Sequence, residues 1–149
     1  MEPRYFEDFH AGDEFASSRF SFTASEIIQF RRVYGGPLGS DTGEDLDPTR
    51  LRVDLVHLLA ASFRLFYETG AIIPSGRGSP GMKEVRYLKP VYSGDAIRVV
   101  AKVRDVRGSS SRPDRGTAEI EFSTLNQDEE PVLSFLALQL LGRRAAKQG

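Results

Sequence analysis

The sequence predicts an α+β fold in which one antiparallel sheet curves around a long central helix. Three observations carry that prediction. A helical stretch from Leu51 to Thr69 is apolar around nearly its whole circumference, four strand-like segments that look antiparallel follow it, and a short capped helix precedes it. A length of 149 residues suits a single domain over 1–149. A chain of this size buries roughly 70% of its unfolded surface, so one sizeable core needs no metal or disulfide staple.

Phe20 and Phe22 fall on one face and Arg19 and Ser21 on the other, which predicts a short strand over Phe15 to Phe22. Thr23-Ala24-Ser25-Glu26 has capping-box spacing, in which a hydroxyl and a carboxylate satisfy the free backbone donors of a helix start. Ile27, Ile28, Phe30 and Val33 continue that helix to about Tyr34, and Gly35-Gly36-Pro37 ends it. Residues 35–48 hold four glycines and two prolines and read as a long loop, a kind of segment that tends to be functional. Asp47-Pro48 opens the second helical stretch with proline at a tolerated first-turn position, and Gly70 closes it. Within it only Arg52, Asp54, His57, Arg64 and Glu68 need polar partners or a wet edge, so the helix is expected to be buried on almost all sides.

After the Gly/Pro/Ser-rich linker from Ala71 to Pro80 the period changes to two. Met82 to Leu88 is a strand, and Ser93-Gly94-Asp95 a turn. Ile97, Val99, Ala101 and Val103 line one face of a long strand whose other face carries Arg98, Lys102 and Arg104. Ser109 to Gly116 is a polar hairpin connection, after which Ala118, Ile120 and Phe122 alternate with Glu119, Glu121 and Ser123. Val132 to Leu141 is apolar on both faces, as a central or interface strand should be. One sheet from a chain this short cannot cover so apolar a helix. A second copy extending the sheet, hence a homodimer or higher homo-oligomer, is the expectation.

Composition excludes several classes of function. With no cysteine there is no disulfide framework, zinc-cysteine site, thiol nucleophile or iron–sulfur cluster, and no metal or other cofactor is expected. No apolar run reaches the roughly 18 residues of a membrane helix, and the acidic N-terminal stretch lacks the features of a leader, so a cytoplasmic protein without membrane contact is expected. The net charge is -1, yet residues 77–115 carry ten basic and four acidic groups, the one segment favourable to an anionic partner. It lacks the basic stripe with interleaved aromatics of a nucleic-acid binder. Gly76, Gly78 and Gly81 lack the strand–glycine–helix order of a nucleotide fingerprint.

Tyr5-Phe6-Glu7-Asp8-Phe9, Gly12-Asp13, the helix around His57 to Leu65, Arg86-Tyr87-Leu88-Lys89-Pro90-Val91, Gly94-Asp95 and Ser111-Arg112-Pro113-Asp114-Arg115-Gly116 resemble the MaoC-like dehydratases, in the family's order and over nearly the whole chain. The resemblance implies the hotdog fold, an oligomer, and substrates that are acyl thioesters of coenzyme A or acyl carrier protein. It also implies reversible addition of water to a trans-2-enoyl thioester, with an Asp and a His activating the water and a backbone N–H at the central helix start polarising the carbonyl. The family's dyad lies in a loop pattern like D-x-N-P-x-H. Anchored on Pro37-Leu38, the His position here is Gly39 and the Asp position is Tyr34 or Gly35, so neither member of the dyad is present. Leu55 stands where a glycine is usual near the helix start.

Asp41 is therefore read either as a substitute base in the loop or as a solvated turn residue, and Glu44 likewise. Asp54 and His57, one helical turn apart, are read as a general-base pair or as a buried polar pair that satisfies itself. His10 reads as a surface residue. Tyr34, Gly39 and Leu55 border the implied acyl site, and Arg86 and Lys89 are candidate contacts for the phosphates of a coenzyme A carrier, against a strand salt bridge and plain exposure. The functional expectation is an acyl-thioester hydratase or dehydratase relative without the usual dyad. The alternatives are a noncatalytic acyl-CoA-binding hotdog, a dyad-lacking subunit paired with a dyad-bearing paralogue, or a hotdog thioesterase.

Overall fold

The computed structural model describes residues 2–35 and 49–145. A 3-10 turn over Phe6–Asp8 leads into strands β1 (Glu14–Ala16) and β2 (Phe20–Ser21), helices α1 (Ala24–Tyr34) and α2 (Leu55–Glu68), and strands β3 (Gly81–Tyr87), β4 (Ala96–Gly108), β5 (Arg115–Leu125) and β6 (Pro131–Gly142). The strands form one antiparallel sheet in the order β1-β4-β5-β6-β3, with β2 also on β4.

The alternation in the sequence becomes the inner face of this sheet. Ile97, Val99, Ala101 and Val103 on β4, Ala118, Ile120 and Phe122 on β5, and Leu133, Phe135 and Ala137 on β6 are all buried. Phe122 lies opposite Phe135 in the β5–β6 register, and their rings stack at 4.6 Å with 6° between planes. Helix α2 lies on this floor. Leu58, Leu65 and Phe66 bury toward the sheet, Phe66 meets Phe122 edge-on at 5.0 Å, and Ser62 Oγ lies 2.7 Å from Thr124 Oγ1 in a pair with no exposure. β6, apolar on both faces, is interior between β5 and β3.

Three expectations change. The strand expected over Phe15 to Phe22 is two strands. Between them the Ser17 hydroxyl accepts the Val99 N–H at 2.8 Å while the Ser17 N–H donates to Val99 O at 2.8 Å, so a side chain takes the acceptor place in the ladder. Helix α2 starts at Leu55 and not near Pro48, because Leu51 to Val53 is extended against residues 91–93: Val53 N–H donates to Val91 O at 2.8 Å and Ser93 N–H to Leu51 O at 2.7 Å. Nor is α2 buried on almost all sides of this chain. Val56 is 64% exposed, Leu55 beside it is exposed, and so is Tyr67 at the other end of the helix. β3 is exposed along Met82, Val85 and Tyr87 and has a single strand neighbour, β6. Among the described residues, apolar surface is thus left uncovered on the central helix and along β3, and also on α1 at Val33 and Tyr34 and at Ile73 after α2.

Candidate functional site

The capping box read from the sequence forms: Thr23 Oγ1 accepts the Glu26 N–H at 3.1 Å, and Glu26 Oε2 reaches the Thr23 N–H at 3.5 Å. It starts α1 so that Glu26, Phe30 and Tyr34, spaced by four, run along one side of the helix. That side faces α2 across a cavity of about 650 Å³. Phe20, Phe22, Phe30 and Leu65 are among its apolar lining residues, and Ser25, Glu26, Gln29, Tyr34, His57 and Arg64 supply the polar groups.

His57, in the first turn of α2, is the best-defined side chain in this cavity. Its ring stacks on Phe30 at 4.3 Å with 3° between planes and meets Phe22 edge-on at 4.8 Å. Nδ1 is buried without a hydrogen-bond partner among the described residues. Burial pushes the imidazole below the ordinary histidine value, and the carboxylates of Asp54 and then Glu26 partly offset this. A neutral imidazole held between two aromatic rings can accept a proton or hydrogen-bond a ligand at neutral pH. At the far side Arg64 extends over the Phe20 ring at 5.7 Å and pairs with Glu68 at 2.9 Å.

Of the residues singled out in the sequence, the structure brings Tyr34 and His57 into this one cavity. Asp54 occupies the N-cap position of α2 without a side-chain cap hydrogen bond, its carboxylate lies 3.6 Å from Arg31 Nε, and it does not line the cavity. No hydrogen bond joins it to His57 Nδ1. Leu55, the first residue of α2, is exposed and outside the lining. Gly39 and Asp41 lie outside the described residues, as does Glu44. Arg86 borders a separate small cleft with Glu84, Arg104 and Glu121, and Lys89 pairs with Glu130. His10 is exposed, 3.9 Å from Asp13. Among the described residues no cluster of His, Asp and Glu could hold a metal ion. No helix among them is long and apolar enough to cross a membrane.

Sequence reasoning missed Glu26, Gln29 and Arg64. Glu26 had a sufficient explanation as a cap. Only its four-residue spacing to Phe30 hinted that cap and cavity share a helix face.

No protein-family model and no curated protein matches the sequence. Solved structures do. A MaoC-like dehydratase from Rhodospirillum rubrum is 28% identical, with 96% of this chain aligned to 99% of that one at a TM-score of 0.79. A Mycobacterium tuberculosis protein described as a double hotdog fold is 14% identical at a TM-score of 0.78, and this chain, 99% covered, spans 46% of it. An (R)-hydratase from Pseudomonas aeruginosa is 16% identical at a TM-score of 0.67, over 97% of this chain and 93% of that one. The fold is the hotdog fold, and its neighbours are MaoC-like dehydratases and (R)-hydratases.

Proposed function

We propose that this chain, a hotdog protein of the MaoC-like kind, binds acyl thioesters in the cavity between α1 and α2 and hydrates or dehydrates them with His57 as the proton carrier. The observation that carries this reading is the cavity itself. An aromatic and aliphatic slot of about 650 Å³ suits an acyl chain, and a neutral imidazole opens into it. The neighbours support the reaction class, and the R. rubrum structure supports it most because its identity to this chain is highest of the three. Coenzyme A is the proposed carrier, Asp54 is proposed to act only indirectly, by charge, and Asp41 stays a proposed substitute base in the loop between the helices.

A second copy completes the assembly. The free edge of β3 and the open face of α2 at Leu55 and Val56 are where a homodimer would extend the sheet and cover the helix. The whole of residues 1–149 is then one hotdog unit of a cytoplasmic oligomer.

The test is hydration of crotonyl-CoA and longer trans-2-enoyl-CoAs by the purified protein. His57→Ala is expected to lower kcat/KM by about 10²–10⁴-fold. One observation favours a second reading. The sequence between α1 and α2 contains no histidine, so the family's dyad has no imidazole there, as in a noncatalytic acyl-binding subunit of a mixed oligomer. Saturable binding of acyl-CoA with no turnover at any chain length, and activity regained with a dyad-bearing partner, would select that reading.

A further inference from the structure

We propose that the cavity between α1 and α2 selects acyl groups that carry a planar aromatic ring, an inference that rests on the acyl-thioester reading of that cavity. Its lining contains a continuous row of rings. Tyr34 meets Phe30 at 5.0 Å, Phe30 stacks on His57 at 4.3 Å, His57 meets Phe22 edge-on at 4.8 Å, and Phe22 meets Phe20 edge-on at 5.0 Å. The row ends at Arg64, whose guanidinium lies over the Phe20 ring at 5.7 Å. Residues of α1, of α2 and of the segment at β2 make up this row, so the repeat of no single element accounts for it. Phe22 is buried, whereas Phe20, Phe30 and His57 are half-buried and Tyr34 is exposed.

Large aliphatic side chains are few in the same lining. Among the described residues they are Val33 and Leu65, with Ala60 and Ala61 contributing only methyl groups. An unbranched alkyl chain gains from burial alone, which leucine or valine supplies as well as phenylalanine does. A ring gains more beside other rings, because its negative face and positive edge meet theirs in stacked or edge-on contacts, the two kinds that this row already contains. Arg64 adds a planar cation suited to an aromatic face, and among the described residues only its Nε donates a hydrogen bond, to Glu68. A coenzyme A carrier brings a planar ring of its own, the adenine, so the test has to separate the two sources.

Calorimetric titration of the purified protein with 3-phenylpropanoyl-CoA, 3-cyclohexylpropanoyl-CoA, hexanoyl-CoA and CoA itself provides that test, since none of them has the double bond that hydration needs. The aryl thioester should bind about two- to tenfold more tightly than the cyclohexyl one, which offers similar bulk without a π face, and more tightly than the hexanoyl one. Phe20→Leu should erase most of the aryl-to-cyclohexyl ratio, and Phe20→Tyr should keep it. Tyr34→Leu, at an exposed position, should lower the ratio as well and decides where Phe20→Leu does not fold. Equal or tighter binding of the cyclohexyl thioester overturns the proposal, and so does a ratio unchanged in both leucine variants. CoA alone binding as tightly as the aryl thioester would put the adenine on the rings and overturn it too. If no thioester binds, the acyl-thioester reading fails by itself. The carrier-free alcohols 3-phenylpropanol and 3-cyclohexylpropanol then decide the ring preference through the midpoints of the NMR shifts they cause at His57: a lower midpoint for the aryl alcohol supports it, and equal midpoints or no shift overturn it.

Discussion

Replacing Ser62 by alanine should loosen the contact that sets the central helix on the sheet. Ser62 Oγ donates to Leu58 O at 2.8 Å or to Thr124 Oγ1 at 2.7 Å, and both Ser62 and Thr124 have no solvent exposure. Ser62→Ala leaves the Thr124 hydroxyl buried beside a methyl group, a loss of about 1–3 kcal/mol for an orphaned polar group. Alanine recovers about 0.5 kcal/mol as the better helix former. The net expectation is about 0.5–2.5 kcal/mol, which in urea lowers the unfolding midpoint by roughly 0.2–1.2 M at an m-value near 2 kcal/mol/M. Removing both hydroxyls with Ser62→Ala and Thr124→Val should restore most of the loss, because two apolar groups of matching shape replace the pair. The double-mutant cycle should therefore show a coupling of about 1 kcal/mol. Strict additivity of the two single variants would refute the reasoning. The same helix carries His57, so a loosened α2 should also weaken acyl-CoA binding.

Other expectations are as specific. A Cβ at Gly116 would lie 2.3–2.6 Å from three ring carbons of Phe6, so Gly116→Ala should cost about 1–3 kcal/mol in denaturant unfolding, and a Phe6→Ala background should remove most of that penalty. Because burial holds His57 below its unfolded value, the unfolded chain binds more protons than the native one between the two values. Stability should accordingly fall as the pH drops from about 6.5 through the folded value, and urea midpoints across this range should lose that slope in His57→Gln. Val56→Glu, placed on the open face of α2, should shift the sedimentation mass toward one chain, whereas an unchanged dimer would show that this face is not the contact.

Much of the fold could be read from the residues, because the signals were periodic and local. Thr23 and Glu26 mark the start of α1, and the alternation from Ile97 to Val103 and from Ala118 to Phe122 marks the inner sheet face. What could not be read depends on distant partners. Nothing local at Ser17 says that its hydroxyl will meet Val99 N–H, and nothing at Leu51 says that it will pair with Ser93. The site divides in the same way. His57 stands out as one of two histidines and helical spacing relates it to Asp54, but spacing within one element does not reveal that α1 supplies the rest of the cavity lining, Glu26 and Phe30 included. The open face of α2 repeats the lesson, since an apolar circumference reports what must be covered and not which chain covers it.

The central claim is that an acyl thioester occupies the cavity beneath His57. Nitrogen NMR of the two imidazoles during addition of crotonyl-CoA tests it most directly, with exposed His10 as the internal reference. A saturable shift of the His57 ring nitrogens with those of His10 unmoved is the expected result. His57 left unchanged while the ligand binds elsewhere on the protein would contradict it.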